Sequence, residues 1–142
     1  MNDRYLSKAK RIDNEEWVEG QLIFSFTDIP YIVQEYSHSL GVMQTYEVDI
    51  STICRCTGLK DKNERLIWEK DIVDGHIKRG AAFLNCLVLW NESKARFDVR
   101  AKGCNFPMTL DEVAGNISVG GLDYEVVGNR FDNPELLELL EV

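Results

Sequence analysis

Two turn signals packed between Thr57 and Val73 constrain the fold more than any other stretch. The segment reads Thr-Gly-Leu-Lys-Asp-Lys-Asn-Glu-Arg-Leu-Ile-Trp-Glu-Lys-Asp-Ile-Val. Gly58 punctuates a preceding strand, Asp61-Lys62-Asn63-Glu64 has the composition of a tight turn, and Leu66, Ile67 and Trp68 begin an apolar run. Lys70-Asp71 then bends the chain again before Ile72-Val73. The alternation of short apolar runs with polar bends is that of consecutive antiparallel strands. Nothing in the segment resembles a catalytic centre.

The remaining chain repeats this rhythm. Arg4 to Arg11 reads as a strand, Asp13-Asn14 as its turn, and Trp17-Val18 to Leu22-Ile23-Phe24 as the return, with Gly20 predicting a bulge or barrel corner. Thr27-Asp28-Ile29-Pro30 is a turn into Tyr31–Tyr36, and Tyr46–Ile50 and Ile53–Thr57 are short strands. Phe83 to Trp90 is almost continuously apolar, as a central strand covered on both faces requires. Thr109 to Ala114 predicts a short helix capped by Thr109, and Tyr124 to Val127 a last strand. Asn133-Pro134-Glu135 reads as a helix start, with Asn133 as cap and Pro134 in the first turn. Leu136, Leu137, Leu139 and Leu140 form an apolar stripe that must dock on the barrel or on another chain, because about two turns of helix do not stand alone.

At 142 residues, 44% hydrophobic and 28% charged, the chain is long enough for one ordinary globular domain or two lobes. No apolar run approaches a membrane helix and the N-terminus lacks a secretory core, which predicts a cytoplasmic protein. The net charge of −8 disfavours general nucleic-acid binding. Arg4, Lys8, Lys10 and Arg11 face only Asp3 in the first eleven residues, so the rest of the chain stands at −11. Cys54 and Cys56 share one face of a strand, about 6–7 Å apart, a poor geometry for a mutual disulfide. A zinc site would combine them with His76, Cys86 or Cys104, without a Cys-x-x-Cys knuckle to present ligands. Free thiols in a reducing compartment are the expectation.

Three stretches resemble the YopX-like phage and prophage proteins. The first is Thr57 to Val73, where that family reads Thr-Gly-Leu-x-Asp-Lys-Asn-Gly, an apolar pair, Tyr or Trp, then Glu-Gly-Asp-Ile-Val. The second is Lys10-Arg11 through Asp13-Asn14 to Trp17-Val18 and Gly20; the third is Gly128-Asn129 through Asn133-Pro134-Glu135-Leu136-Leu137. Here Glu64, Lys70, Ala9 and Glu15 stand where the family pattern has glycine. A left-handed residue with a side chain costs roughly 1 kcal/mol. Either Glu64 and Lys70 sit in other turn types, or Asn63 takes the positive φ instead. The resemblance implies an all-β fold with a small Src-homology-3-like barrel, joined to an N-terminal β-meander and a short C-terminal helix. The division expected is residues 1–55 and 56–142, or one continuous domain.

There is no Gly-x-Ser-x-Gly, phosphate loop or His-Glu-x-x-His. Ser37-His38-Ser39 lacks an orienting acid, Asp71 and Asp74 point to opposite faces of a strand, and His76 reads as a loop residue. Trp17, Trp68 and Trp90 lie in strand-like context and read as packing residues. From Lys94 to Lys102, alternation places Lys94, Arg96, Asp98, Arg100 and Lys102 on one face. Lys94, Arg96, Arg100 and Lys102 are therefore the candidate binding face, with a solvated outer face as the plainer account. Leu136, Leu137 and Leu140 are the candidate contact residues of the helix. The expectation is a non-enzymatic phage or prophage accessory protein, without cofactor or metal, acting in the host cytoplasm on an unidentified protein partner. The alternatives are an oligomeric assembly component and nucleic-acid binding through the basic face, aided by Arg4, Lys8, Lys10 and Arg11.

Overall fold

The structure is a computed structural model that describes residues 5–37, 42–77, 82–101, 108–109 and 122–137. It is all-β, and the chain divides into two compact units, Met1–Cys56 and Thr57–Val142.

In the first unit β1 (Ser7–Lys10), β2 (Trp17–Phe24), β3 (Pro30–Ser37) and β4 (Val42–Glu47) form the expected antiparallel meander. A 3₁₀ turn at Ile50–Thr52 leads into β5 (Cys54–Lys60), whose opening residues pair with β1. Period-two alternation buries Val18 and Gly20 and exposes Glu19 and Gln21. Ala9, Val18, Ile32 and Val48 make the core, flanked by Leu22, Tyr46 and Ile53. Fully buried Ile32 alone contributes roughly 2–3 kcal/mol. Gly20 is not a bulge, for neither ladder shifts register there; it is where β2 passes from pairing with β1, which ends at Ser7↔Gly20, to pairing with β3, which begins at Gln21↔Val33. It is a place of close approach, where a Cβ would lie 2.3 Å from the Val33 carbonyl oxygen.

The second unit starts with the rest of β5, which runs through Gly58 at φ 81° instead of ending there. β6 (Leu66–Trp68) follows, then a five-stranded sheet in the order β10 (Met108–Thr109), β9 (Arg96–Arg100), β8 (Ala82–Asn91), β7 (Asp71–Ile77), β11 (Leu122–Asn129). β8 lies mid-sheet and is covered on both faces from Cys86 to Val88, as its composition predicts, whereas Leu84 is 60% exposed. Cys86 and Val88 pack with Ile67, Val73, Val99, Ala101 and Tyr124, whereas Leu87 packs with Ile72 and Leu137. The barrel expected around Thr57–Val73 is not found, since the five-stranded sheet does not close on itself among the described residues; in the first unit the Arg11–Val48 bridge joins the chain after β1 to the chain after β4. Thr109, the expected helix cap, ends β10, and 110–114 lie outside the described residues. The C-terminal element is a 3₁₀ turn, Pro134–Leu137. Asn133 does not cap it through its side chain. Its Oδ1 turns back to accept from the Asn129 N–H at 3.2 Å, so close to Gly128 that a Cβ there would lie 2.5 Å away.

The turns resolve the question of the replaced glycines. Glu64 (φ 64°), Lys70 (φ 69°) and Glu15 (φ 60°) all hold the left-handed conformation, and Asn63 does not take it over. Ala9 differs because it is a buried residue of β1. At the first of these turns the Asp61 N–H donates to Arg65 O at 2.8 Å and the Glu64 N–H to Asp61 O at 3.0 Å. At the second, the Lys70 N–H donates to Val88 O and Lys70 O accepts from the Arg130 N–H, fixing the turn from both sides. Strain of this kind persists where neighbours over-determine the backbone.

Candidate functional site

The predicted basic face is built differently from a plain alternation. The turn after β8 consumes Lys94: its N–H donates to Asn91 Oδ1, and Ala95 at φ 49° delays the return strand to Arg96. Within β9 the buried Asp98 accepts from Arg96 Nε at 2.8 Å and from Asn91 Nδ2 at 2.8 Å. Arg96 is thus held by an acid on its own strand, and Lys94 and Arg100 stand exposed apart from it. Lys102 lies outside the described residues. Of the other predicted bases, Arg4 also lies outside them, and the ammonium groups of Lys8 and Lys10 sit 4.7 and 5.4 Å from the centre of the Trp17 ring. The Arg11 guanidinium lies 4.3 Å from the Tyr46 ring centre and grips Asp13 through Nε and Nη2 at 2.9 and 2.6 Å. That bond raises the Arg11 pKa and holds the Asp13 carboxyl below its usual range. A groove of about 450 Å³ runs between Arg11, Asp13, Tyr46 and Glu47.

The candidate contact stripe docks within its own unit. Leu137 is buried against Ile72 and Leu87, and Leu136 packs at the margin of that cluster. Leu140 lies outside the described residues.

The carboxylates of the second unit organise backbone. Asp61 Oδ1 accepts from the Asn63 and Arg65 N–H groups, both at 2.9 Å, and Oδ2 from the Val126 N–H on β11 at 3.0 Å. Burial pushes this carboxyl up, but the three backbone donors, Val126 foremost, outweigh it and hold the pKa low. The same loop is tied to β11 by the Lys62 N–H to Tyr124 O bond and a Lys62–Glu125 ion pair of 2.8 Å. Asp71 Oδ2 takes the Trp68 N–H at 2.8 Å, and Asp74 Oδ1 takes the Asn85 N–H at 2.9 Å where β8 bulges at φ 54°. The two aspartates of β7 therefore serve different bends. Trp68 is buried, and Trp90 meets Phe97 edge to face with centroids 4.9 Å apart.

Cys54, Cys56 and Cys86 are buried, and Cys54 Sγ donates to Thr52 O. Among the described residues no three His, Cys, Asp or Glu side chains gather as a metal ion requires. Cys104, His38 and Ser39, and the side chains of Ser37 and His76, lie outside the described residues. Tyr124 Oη is buried in the apolar cluster with no hydrogen-bond partner among the described residues, and burial, aided by nearby Cys86, raises its pKa.

What sequence reasoning missed is the end of the β2–β3 hairpin. Ile23 is 46% exposed, Phe24 53%, and Phe26 stands fully in solvent. The loop beneath them is well ordered. Ser25 Oγ accepts from the Thr27 and Ile29 N–H groups, the Ser25 N–H donates to Ile29 O, and the Asp28 N–H donates to Ser25 O. The signal was available, since Ile23-Phe24 breaks the alternation of β2 and Phe26 puts an aromatic ring inside a turn.

No helix among the described residues is long and apolar enough to cross a membrane. Comparison with curated proteins finds no match. The model of the family described as YopX protein matches residues 8–138, spanning all three stretches that carry the sequence resemblance, and the chain belongs to that family.

Proposed function

We propose that this protein is a non-enzymatic accessory protein of phage or prophage origin that acts in the host cytoplasm by binding another macromolecule. The observation that carries the reading is the ordered β2–β3 hairpin with Ile23, Phe24 and Phe26 in solvent. Exposing two phenylalanines on a loop held by four hydrogen-bonding backbone groups is unfavourable for a free surface and favourable for an anchor that fills a partner's recess. Family membership supports a phage-type role, and the described aspartates of the second unit are engaged in holding turns.

The test is affinity capture from bacterial host lysate, with and without nuclease, comparing the wild-type chain with a Phe24→Ser/Phe26→Ser variant of equal thermal stability. A protein retained by the wild type after nuclease treatment and lost by the variant is the expected result. Turnover of a defined substrate, abolished by changing one polar residue, would show the reading to be wrong. Capture that disappears with nuclease and with Lys94→Ala/Arg100→Ala would favour the nucleic-acid alternative.

A further inference from the structure

Between Arg11 and Arg55 the chain contains no lysine or arginine and eight acids: Asp13, Glu15, Glu16, Glu19, Asp28, Glu35, Glu47 and Asp49. The aromatic hairpin end lies in the middle of this stretch. Asp28 is exposed in the loop beside Phe26, and pairing aligns Ile23, Tyr31 and Glu47 across three strands, with Glu47 exposed. Strand pairing sets Lys8 opposite Glu19 and Lys10 opposite Trp17 at the other end of β2, and it brings Arg11 toward the hairpin through Val48 and Pro30, where its guanidinium is occupied by Asp13. The charged groups thus placed beside the apolar anchors are Asp28 and Glu47, both exposed.

We propose that the Phe24–Phe26 hairpin end docks into an apolar recess bordered by lysine or arginine on a partner protein, an inference that rests on the binding function proposed above. Apolar anchors supply affinity in a desolvated centre, and rim charges select the partner and speed its approach. Ile23 and Phe24 point to opposite faces of β2 and Phe26 stands at the turn, so the partner must enclose the hairpin end. The three side chains offer roughly 400 Å². A stable interface needs about 800 Å² per partner, so the anchors must be completed by their surroundings, which here are acidic. A second copy of this chain would bring the same negative surface to the contact, and nucleic acid would be repelled. The hydrogen-bonded loop is ordered before binding, which limits the entropy lost on docking.

The experiment places a photoreactive benzophenone side chain at Thr27 of the full-length chain, which is exposed beside Phe26. Crosslinking is carried out in host cells, the crosslinked residue of the partner is mapped by mass spectrometry, and the purified pair is titrated. The expected crosslink falls on an apolar recess flanked by Lys or Arg. Phe26→Ser should weaken binding at least about tenfold. Asp28→Asn, which keeps a side chain tolerant of its φ of 62°, should weaken it severalfold and flatten its salt dependence. A crosslink to an acidic or uncharged surface, or to a second copy of this chain, overturns the inference and leaves the binding function standing. Capture from lysate without any crosslink at this position does the same. If neither capture nor crosslinking occurs, the binding function falls as well.

Discussion

Replacing Glu64 by glycine should stabilise the protein. Glu64 occupies a left-handed position at φ 64°, in the loop closed by the Asp61–Arg65 and Glu64–Asp61 backbone bonds. Its side chain is exposed, with no hydrogen bond or ion pair found among the described residues. A side chain in that conformation costs about 1–2 kcal/mol, and glycine gives back part of the gain, about 0.5–1 kcal/mol, through the greater freedom of its unfolded chain. The net expectation is a gain of about 0.5–1 kcal/mol. For a cooperative unit of this size that corresponds to a rise in Tm of roughly 3–6 °C. Glu64→Ala is the decisive comparison, because it removes the charge and the long side chain but retains the Cβ that creates the strain. Chemical denaturation of the three proteins, analysed at constant m-value, separates the effects. Alanine should leave the midpoint within about 0.3 kcal/mol of wild type, with glycine above both. Equal midpoints for glycine and alanine would refute the argument, since they would mean that the left-handed backbone at this turn carries no cost. Lys70→Gly should gain less, because the Lys70 ammonium lies 5.4 Å from the Phe131 ring centre and that contact is lost.

Four further substitutions test the second unit. Tyr124→Phe removes a buried hydroxyl without a partner among the described residues and should stabilise by about 1 kcal/mol in urea unfolding; a loss of that size would reveal a hydrogen bond. Asp61→Asn leaves one oxygen for three backbone donors and should cost about 2–3 kcal/mol. Because the folded pKa of Asp61 lies below the ordinary 3.8, its contribution is present above that value and lost as pH falls through the folded pKa. The wild type should therefore lose stability on acidification below about pH 4, and the variant should show a shallower slope in acid-jump denaturation. Gly128→Ala forces Asn133 Oδ1 away from the Asn129 N–H and should cost about 1–2 kcal/mol; adding Asn133→Ala should then cost less than it does alone, measured as a double-mutant cycle.

Strand rhythm was legible because it is local. Asp61 to Glu64 and Lys70-Asp71 announced their turns through residue types that favour them, and Phe83 to Trp90 declared a doubly covered strand by lacking alternation. Closure was not legible, because the pairing at a sheet edge depends on partners distant in sequence, and β10 and β11 remain edges among the described residues. The place of Lys94 in the candidate basic face was not legible for a similar reason. Period-two counting from Lys94 assumes an unbroken strand, but the left-handed Ala95 ends the turn and Asp98 folds back onto Arg96. The exposed hairpin escaped notice because composition does not distinguish an apolar run entering a core from one leaving it.

The acids of the two units do different work, and this connects the fold to the proposed function. In the second unit Asp61, Asp71 and Asp98 are buried and each accepts from named donors, so their charge is used to hold turns, including one that keeps a left-handed glutamate. In the first unit Asp13, Glu15, Glu16, Glu19, Asp28, Glu47 and Asp49 are all exposed; Asp13 is paired with Arg11 and Asp49 accepts from the Ser51 N–H, whereas Asp28 and Glu47 lie beside the hairpin. Backbone clamping requires burial and gains little from net charge; attraction of a basic surface requires exposure and grows with unbalanced charge. Neutralising the exposed acids around the hairpin should therefore leave the melting temperature nearly unchanged and slow partner association, whereas neutralising Asp61 should do the reverse.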